Sequence, residues 1–152
     1  AGVKQGLHPD DPPLSPIRGI SRIITNPEAF DRVLDIVPSD FNGLTFCQGN
    51  FKAMGADIPK NIRHFGNQSK IFFAHFRDLH GQVPTFSEAF HDDGDTDMAN
   101  CIRAYNEVGF DGSVRPDHTP TFAIDKEETG GYNFLGRLYA VGYMKGLIHG
   151  TA

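Results

Sequence analysis

Four side chains in this 152-residue sequence have the chemistry of divalent-metal ligands: His8, Cys47, His75 and Asp117. Each follows a short apolar stretch, so each is expected at the end of a strand. Two imidazoles, a thiol and a carboxylate offer nitrogen, sulfur and oxygen donors. Nitrogen and carboxylate donors suit Mn²⁺, Fe²⁺ or Zn²⁺, and a thiolate moves the preference toward Fe²⁺ or Zn²⁺. Ligand type alone leaves the metal open. Each residue also has an ordinary role: a strand-end His is commonly a hydrogen-bonded loop residue, a lone Cys a small buried apolar one, and an Asp a cap for the segment that follows. The set outweighs the singles, because one ligand type closes each of four successive strands.

The elements that must position these residues form a repeat. The first unit has a strand over about Gly2 to Leu7, a proline-rich segment from His8 to Pro13, and a helix opening at Asn26-Pro27-Glu28. Asn at the N-cap and Pro at the first helical position favour that start. Phe30, Val33, Leu34 and Val37 then fall at i, i+3, i+4 and i+7, one helical stripe. In the second unit Gly43 to Phe46 is the strand and Asp57 caps a helix with Ile58, Ile62 and Phe65 on one face. In the third, Ile71 to Ala74 is apolar on both faces, as a strand between layers should be. Its helix follows Gly94-Asp95-Thr96-Asp97, with Asp95 and Asp97 expected as cap and first-turn acid, and buries Met98, Cys101, Ile102, Tyr105 and Val108. The fourth strand spans about Ser113 to Pro116, and a last helix runs roughly from Asn133 to Leu147.

Repeated βα units imply a parallel sheet with helices outside it. The candidates are a doubly wound sheet and a TIM barrel. No Gly-rich phosphate loop follows any strand, which counts against the nucleotide-binding version. In a barrel the four strand ends would converge on one mouth, the C-terminal face on which active sites are built. His91, in the long loop after the third strand, is a further candidate to reach that mouth and contact substrate. Four units are half of the eight a barrel needs, and the chain opens at Ala1 without an initiator Met. The expectation is therefore a single partial domain over 1–152, the C-terminal half of a longer α/β barrel chain.

Composition narrows the function. Hydrophobic residues make up 39% and charged residues 22%, which fits a folded globular chain. A net charge of -5 argues against a nucleic-acid partner, and no apolar run approaches the roughly 20 residues of a membrane helix. Two cysteines are too few for a disulfide framework, so a reducing cytoplasm is expected.

Six blocks of sequence carry a resemblance. His8-Pro9-Asp10-Asp11-Pro12-Pro13, Asn42 to Cys47, Phe73-Ala74-His75-Phe76-Arg77, Gly94 to Met98, Gly109 to Gly112 and Arg115-Pro116-Asp117-His118 are similar, in the same order, to signatures of the mannonate dehydratases. The similarity runs from about Gly6 to the C-terminus, with departures at Gln48-Gly49-Asn50 and Thr119-Pro120. The resemblance implies a xylose-isomerase-like TIM barrel that dehydrates D-mannonate to 2-keto-3-deoxygluconate in hexuronate breakdown. It implies Mn²⁺ or Fe²⁺ held by His8, Cys47, His75 and Asp117, with His118 and Tyr132 as the acid–base pair.

The implied chemistry suits those residue types. Dehydration removes a weakly acidic proton at C2 and expels hydroxide from C3, and a metal stabilises the charge that develops. An imidazole exchanges protons near neutral pH, whereas a phenol needs activation to act as base. Which of the two takes the C2 proton stays open. Arg77, two residues beyond His75, would point the same way and could pair the substrate carboxylate; a surface salt bridge is its alternative. A homo-oligomer is the expected form of the full-length protein. The rival functions are a related metal-dependent lyase or isomerase acting on another sugar acid, and a non-catalytic half-barrel remnant.

Overall fold

The structure, a computed structural model, describes residues 2–125 and 130–151. Four strands, β1 (Gln5–Leu7), β2 (Asn42–Cys47), β3 (Ile71–Phe76) and β6 (Ser113–Pro116), form one parallel sheet in the order β1-β2-β3-β6. A helix follows each: α1 (Pro27–Ile36), α3 (Ile58–Gly66), α4 (Met98–Glu107) and α5 (Phe134–Gly150). The strands pair in the order in which the chain makes them. A doubly wound sheet reverses that order near its middle, and this sheet does not.

Local chemistry sets the helix starts. Asn26 Oδ1 accepts from the Ala29 amide with Pro27 opening α1, and Asp57 Oδ1 accepts from Lys60 to open α3. Asp97 caps α4 by accepting from Asn100. Asp95 is no cap; it holds a neighbouring hairpin, as described below. In α1 the expected stripe is truncated, because Phe30 and Leu34 are buried whereas Val37 has left the helix and is 56% exposed.

Leu44, Phe46, Ala74 and Phe76 from the strands join Phe30, Ile62, Phe65, Ile102, Tyr105 and Met144 from the helices in one core. Burial of each such side chain contributes about 1.5–3 kcal/mol. At its centre Phe51 stacks on Phe46 with centroids 4.1 Å apart and on Phe30 at 5.5 Å. The opposite face of the sheet carries Cys47, Phe73, His75 and Arg115. Phasing of β3 to that pattern depends on a bulge. Leu44 pairs with Ile71 but Thr45 pairs with Phe73, so Phe72 is the extra residue. The bulge lets both Ile71 and Ala74 face the core while His75 comes level with Cys47.

Two elements lie outside the expected pattern. A short helix, α2 (Gln48–Ala53), starts directly after Cys47. The segment read as a long loop after β3 contains an antiparallel hairpin, β4 (Asp78–Gln82) and β5 (Thr85–Ala89), turning at Val83-Pro84. Asp95 secures it by accepting from the Gly81 amide at 2.8 Å, while the Asp95 amide donates to the Leu79 carbonyl. His80 and Lys52 also reach the Asp95 carboxylate, at 3.0 and 3.1 Å. Among the described residues no helix is long and apolar enough to cross a membrane, and Cys47 and Cys101 are both free and buried, Cys101 in the core.

Candidate metal centre

The four strand ends meet. Ligand atoms of His8, Cys47 and His75 all lie within 4.8 Å of one another. Asp117 Oδ2 lies 3.6 Å from His75 Nδ1 and 3.7 Å from Cys47 Sγ. Cys47 is fully buried, and His75 and Asp117 are 7% and 3% exposed.

Each donor is aimed by its neighbours. His8 Nδ1 is 2.7 Å from the Pro9 carbonyl, so it carries the ring hydrogen and leaves Nε2 as a lone pair. That nitrogen faces His75 Nδ1 at 3.3 Å. The loop bearing His8 is fastened by Asp10, whose carboxylate accepts from the amides of Ile23 and Ile24 and from Arg22 Nε. Burial alone would raise the Asp10 pKa; these hydrogen bonds outweigh it and bring it below the usual value. Asn50, one turn into α2, receives the Cys47 thiol at 2.9 Å and Arg77 Nη1 at 3.0 Å on Oδ1, and donates to the Asp10 carbonyl.

Burial pushes the Cys47 thiol up to about 12 and the His75 imidazole down to about 4. At neutral pH His75 is therefore a neutral ring with a lone pair to give, and Cys47 carries a proton that a bound cation would have to displace. Two imidazole nitrogens, a sulfur and a carboxylate converge, His8 half-buried and the other three buried, a donor set that fits a divalent transition metal.

Beside this cluster lies a second one. His118, next in sequence to Asp117, has Nε2 2.8 Å from Tyr132 Oη and Nδ1 3.2 Å from Glu88 Oε1. Two consecutive glycines at positive φ, Gly130 and Gly131, turn the chain so that Tyr132 folds back onto the imidazole. A Cβ on Gly131 would come within 3.3 Å of the His118 side chain. The Tyr132 ring meets the His118 ring edge-on and also lies under the Arg137 guanidinium.

The structure thus brings together all four expected donors and, through the neighbouring residues Asp117 and His118, sets the expected acid–base pair beside them. Arg77 and His91 lie one layer back. Arg77 is 2% exposed, and its fork is occupied by Glu88 through both Nε and Nη2 and by Asp11 and Asn50 through Nη1. It is neither a surface salt bridge nor an open anion clamp, because four of its five N–H donors are engaged and the side chain is walled in by α2. His91 is fully buried, stacked on Phe76, with Nε2 on the Phe76 carbonyl at 2.5 Å. It packs beneath the mouth instead of lining it.

Three residues that contribute to the site were not singled out from sequence. Asn50 had a signal in its spacing three residues after Cys47, visible only once α2 is known. Glu88 had one in the alternation of Thr85 to Ala89, which reads as a strand. Arg115 lies two residues before Asp117 and so shares its face. Its side chain is 41% exposed, lies over the Phe73 ring and approaches Asp117 Oδ1 at 3.4 Å.

Comparison with known proteins agrees with this geometry. A family model described as D-mannonate dehydratase (UxuA) matches residues 1–152. Mannonate dehydratase 2 of Halalkalibacterium halodurans is 39% identical over 150 residues, covering 96% of this chain and 43% of its own length. The crystal structure of mannonate dehydratase from Streptococcus suis serotype2 superposes with a TM-score of 0.91 at 33% identity, over 99% of this chain and 44% of that one. A D-tagatose 3-epimerase-like protein shares the fold alone, with a TM-score of 0.70 at 18% identity over 99% of this chain and 48% of that one. These likenesses place the chain in an α/β fold of the xylose-isomerase-like TIM-barrel kind. The chain spans less than half the length of the relatives it matches.

Proposed function

The chain belongs to the D-mannonate dehydratase family, and from that premise we propose that it carries the metal-binding and acid–base side chains of a hydro-lyase converting D-mannonate to 2-keto-3-deoxygluconate and water. The observation that supports this most is the adjacency of the two clusters, joined at Asp117 and His118. His8, Cys47, His75 and Asp117 would hold the metal, Mn²⁺ or Fe²⁺. When bound, it supplies a Lewis acid for the substrate's carboxylate and neighbouring hydroxyl as negative charge grows at C2.

The remaining work falls to the protein. Burial raises the Tyr132 pKa, so its hydroxyl stays protonated at neutral pH and serves as the acid that protonates the departing C3 oxygen. Before that departure His118 Nε2 takes the C2 proton, and the imidazolium afterwards returns a proton to the tyrosinate across their 2.8 Å contact. The enol left on the substrate tautomerises to the 2-keto acid. Arg115, partly exposed beside Asp117, is placed to meet the substrate carboxylate in the role expected of Arg77.

The sheet is further proposed to be one half of an eight-stranded barrel. Each of β1 and β6 pairs on one side only within the described sheet. Exposed apolar side chains occur in the segment that follows β1, at Ile23, Ile36 and Val37, and in the segment that follows β6, at Ile124, Phe134 and Leu138. Unpaired edges and exposed apolar side chains of this kind are normally covered.

The deciding experiment measures Mn²⁺ or Fe²⁺ bound per chain, anaerobically and reduced, in the native sequence and in Cys47→Ala, followed by D-mannonate turnover in the full-length protein. About one metal per chain, lost in Cys47→Ala, with turnover abolished by His118→Asn and Tyr132→Phe, is expected. Metal bound equally by both proteins, or turnover indifferent to both substitutions, would refute the assignment.

A further inference from the structure

We infer that Glu88 is a positioning residue for His118: its carboxylate fixes the imidazole proton on Nδ1 and so presents Nε2 to Tyr132 as an acceptor. The inference rests on the reading of His118 as a catalytic group and concerns how that group is kept ready.

The argument is one of donors and acceptors. A carboxylate offers only acceptors, so the hydrogen in the 3.2 Å contact between Glu88 Oε1 and His118 sits on Nδ1. A neutral imidazole has one ring hydrogen. Nε2 is therefore a lone pair, and the hydrogen in its 2.8 Å contact with Tyr132 comes from the phenol. The reverse tautomer would leave Nδ1 and the carboxylate facing each other with no hydrogen between them.

Glu88 is itself held rigidly for this purpose. Arg77 Nε reaches Glu88 Oε2 at 3.0 Å, and Nη2 bonds the same Oε1 that receives His118. Arg77 in turn is buried and braced by Asp11 and Asn50. Glu88 also lies opposite Leu79, a fully buried residue, in the register of the β4–β5 hairpin. That hairpin supplies no metal donor and no strand to the parallel sheet. Its contribution to the site is a carboxylate set behind the imidazole, the arrangement that orients a working histidine through its far nitrogen.

The test is a long-range ¹H–¹⁵N correlation on full-length protein labelled at histidine, at a pH where imidazoles are neutral, without added metal and again with diamagnetic Zn²⁺. His118 is assigned by the signals missing from His118→Gln. The native protein is expected to show Nδ1 protonated. Glu88→Met should move the proton to Nε2 and lower kcat about 10- to 100-fold with KM within about threefold. Glu88→Gln, whose amide oxygen still accepts, should keep the native tautomer and recover part of kcat. If Glu88→Met does not fold, the double substitution Arg77→Met with Glu88→Met removes the stranded cation and carries the same expectation. Nε2 protonated in the native protein would overturn the inference without any variant. So would a folded Glu88→Met with the native tautomer. A tautomer that shifts as expected in a protein without D-mannonate turnover would uphold the role of Glu88 and reject the dehydratase reading.

Discussion

Replacing Gly49 with alanine adds one methyl group and should destabilise the protein, although a helix normally gains from that change. A Cβ on Gly49 would lie 2.6 Å from Arg77 Cγ, closer still to Cδ, and 2.8 Å from Nε. Carbon atoms prefer about 3.5–4.0 Å, so the overlap is about 1 Å. A flexible side chain would swing away, but the Arg77 guanidinium is pinned by Glu88, Asp11 and Asn50. Keeping the fork in place means overpacking, at about 1–3 kcal/mol. Letting it move breaks at least one charge-assisted hydrogen bond, at about 1.5–3 kcal/mol. Against either stands a helix-propensity gain of at most about 1 kcal/mol. The net loss is about 1–2 kcal/mol, which lowers Tm by roughly 2–8 °C in a chain of this size. Gly146→Ala in α5 is the internal control, since nothing lies within 4 Å of a Cβ there and φ is not positive. It should raise stability by up to about 1 kcal/mol. Paired thermal and urea unfolding of the two variants decides the matter. Equal stabilisation by both would refute the account of Arg77 as a rigidly held group.

Phe51→Ala removes the ring at the centre of the Phe30–Phe46–Phe65 cluster and should cost about 3–5 kcal/mol by denaturant titration; a loss under about 1 kcal/mol would mean the core is not built around that ring. The hairpin clamp should depend on pH. The hydrogen bond that His80 donates to the Asp95 carboxylate raises the His80 pKa, so its contribution is complete below the unfolded value of about 6.5 and fades as pH rises through the folded one. Hydrogen bonds from Gly81, His80 and Lys52 lower the Asp95 pKa, so its contribution is complete above about 3.9 and fades as pH falls through the folded value. An NMR titration of His80 should give a midpoint above about 6.5 that falls in Asp95→Asn; a native midpoint at or below that reference would contradict the clamp.

The four parallel strands, their helices and the convergence of His8, Cys47, His75 and Asp117 at the strand ends were legible because each rests on a local signal. Asn26-Pro27 and Asp57 announce helix starts, apolar spacing announces faces, and a polar residue after an apolar run announces a strand end. What escaped has no such local signature. Gly49 and Asn50 are poor helix formers, so α2 is invisible until Phe51 and Ala53 are known to pack inward. The hairpin was masked by polar residues on its exposed positions. Arg77 and His91 lie deeper than their positions in the sequence suggest, for a related reason. Position along the chain indicates which way a side chain starts, but not that Glu88, Asp11 and Asn50 will already occupy the guanidinium, or that the His91 imidazole will be buried against Phe76. Asp95 and Asp97 show the same limit, since both types can cap and only the hairpin's location separates them.

The donors come from four different strands, and this makes the site a gauge of alignment. A strand that slid by two residues would keep its buried and exposed faces and satisfy its ladder, yet it would carry its donor about 6.6 Å out of reach. A one-residue error at the Phe72 bulge would turn His75 toward the helices. Hydrophobic burial tolerates the first fault; ion capture tolerates neither. If the proposed four donors hold an ion, its uptake reports that all four strands have found their correct offsets, and mis-threaded molecules would be recognised by their failure to retain it.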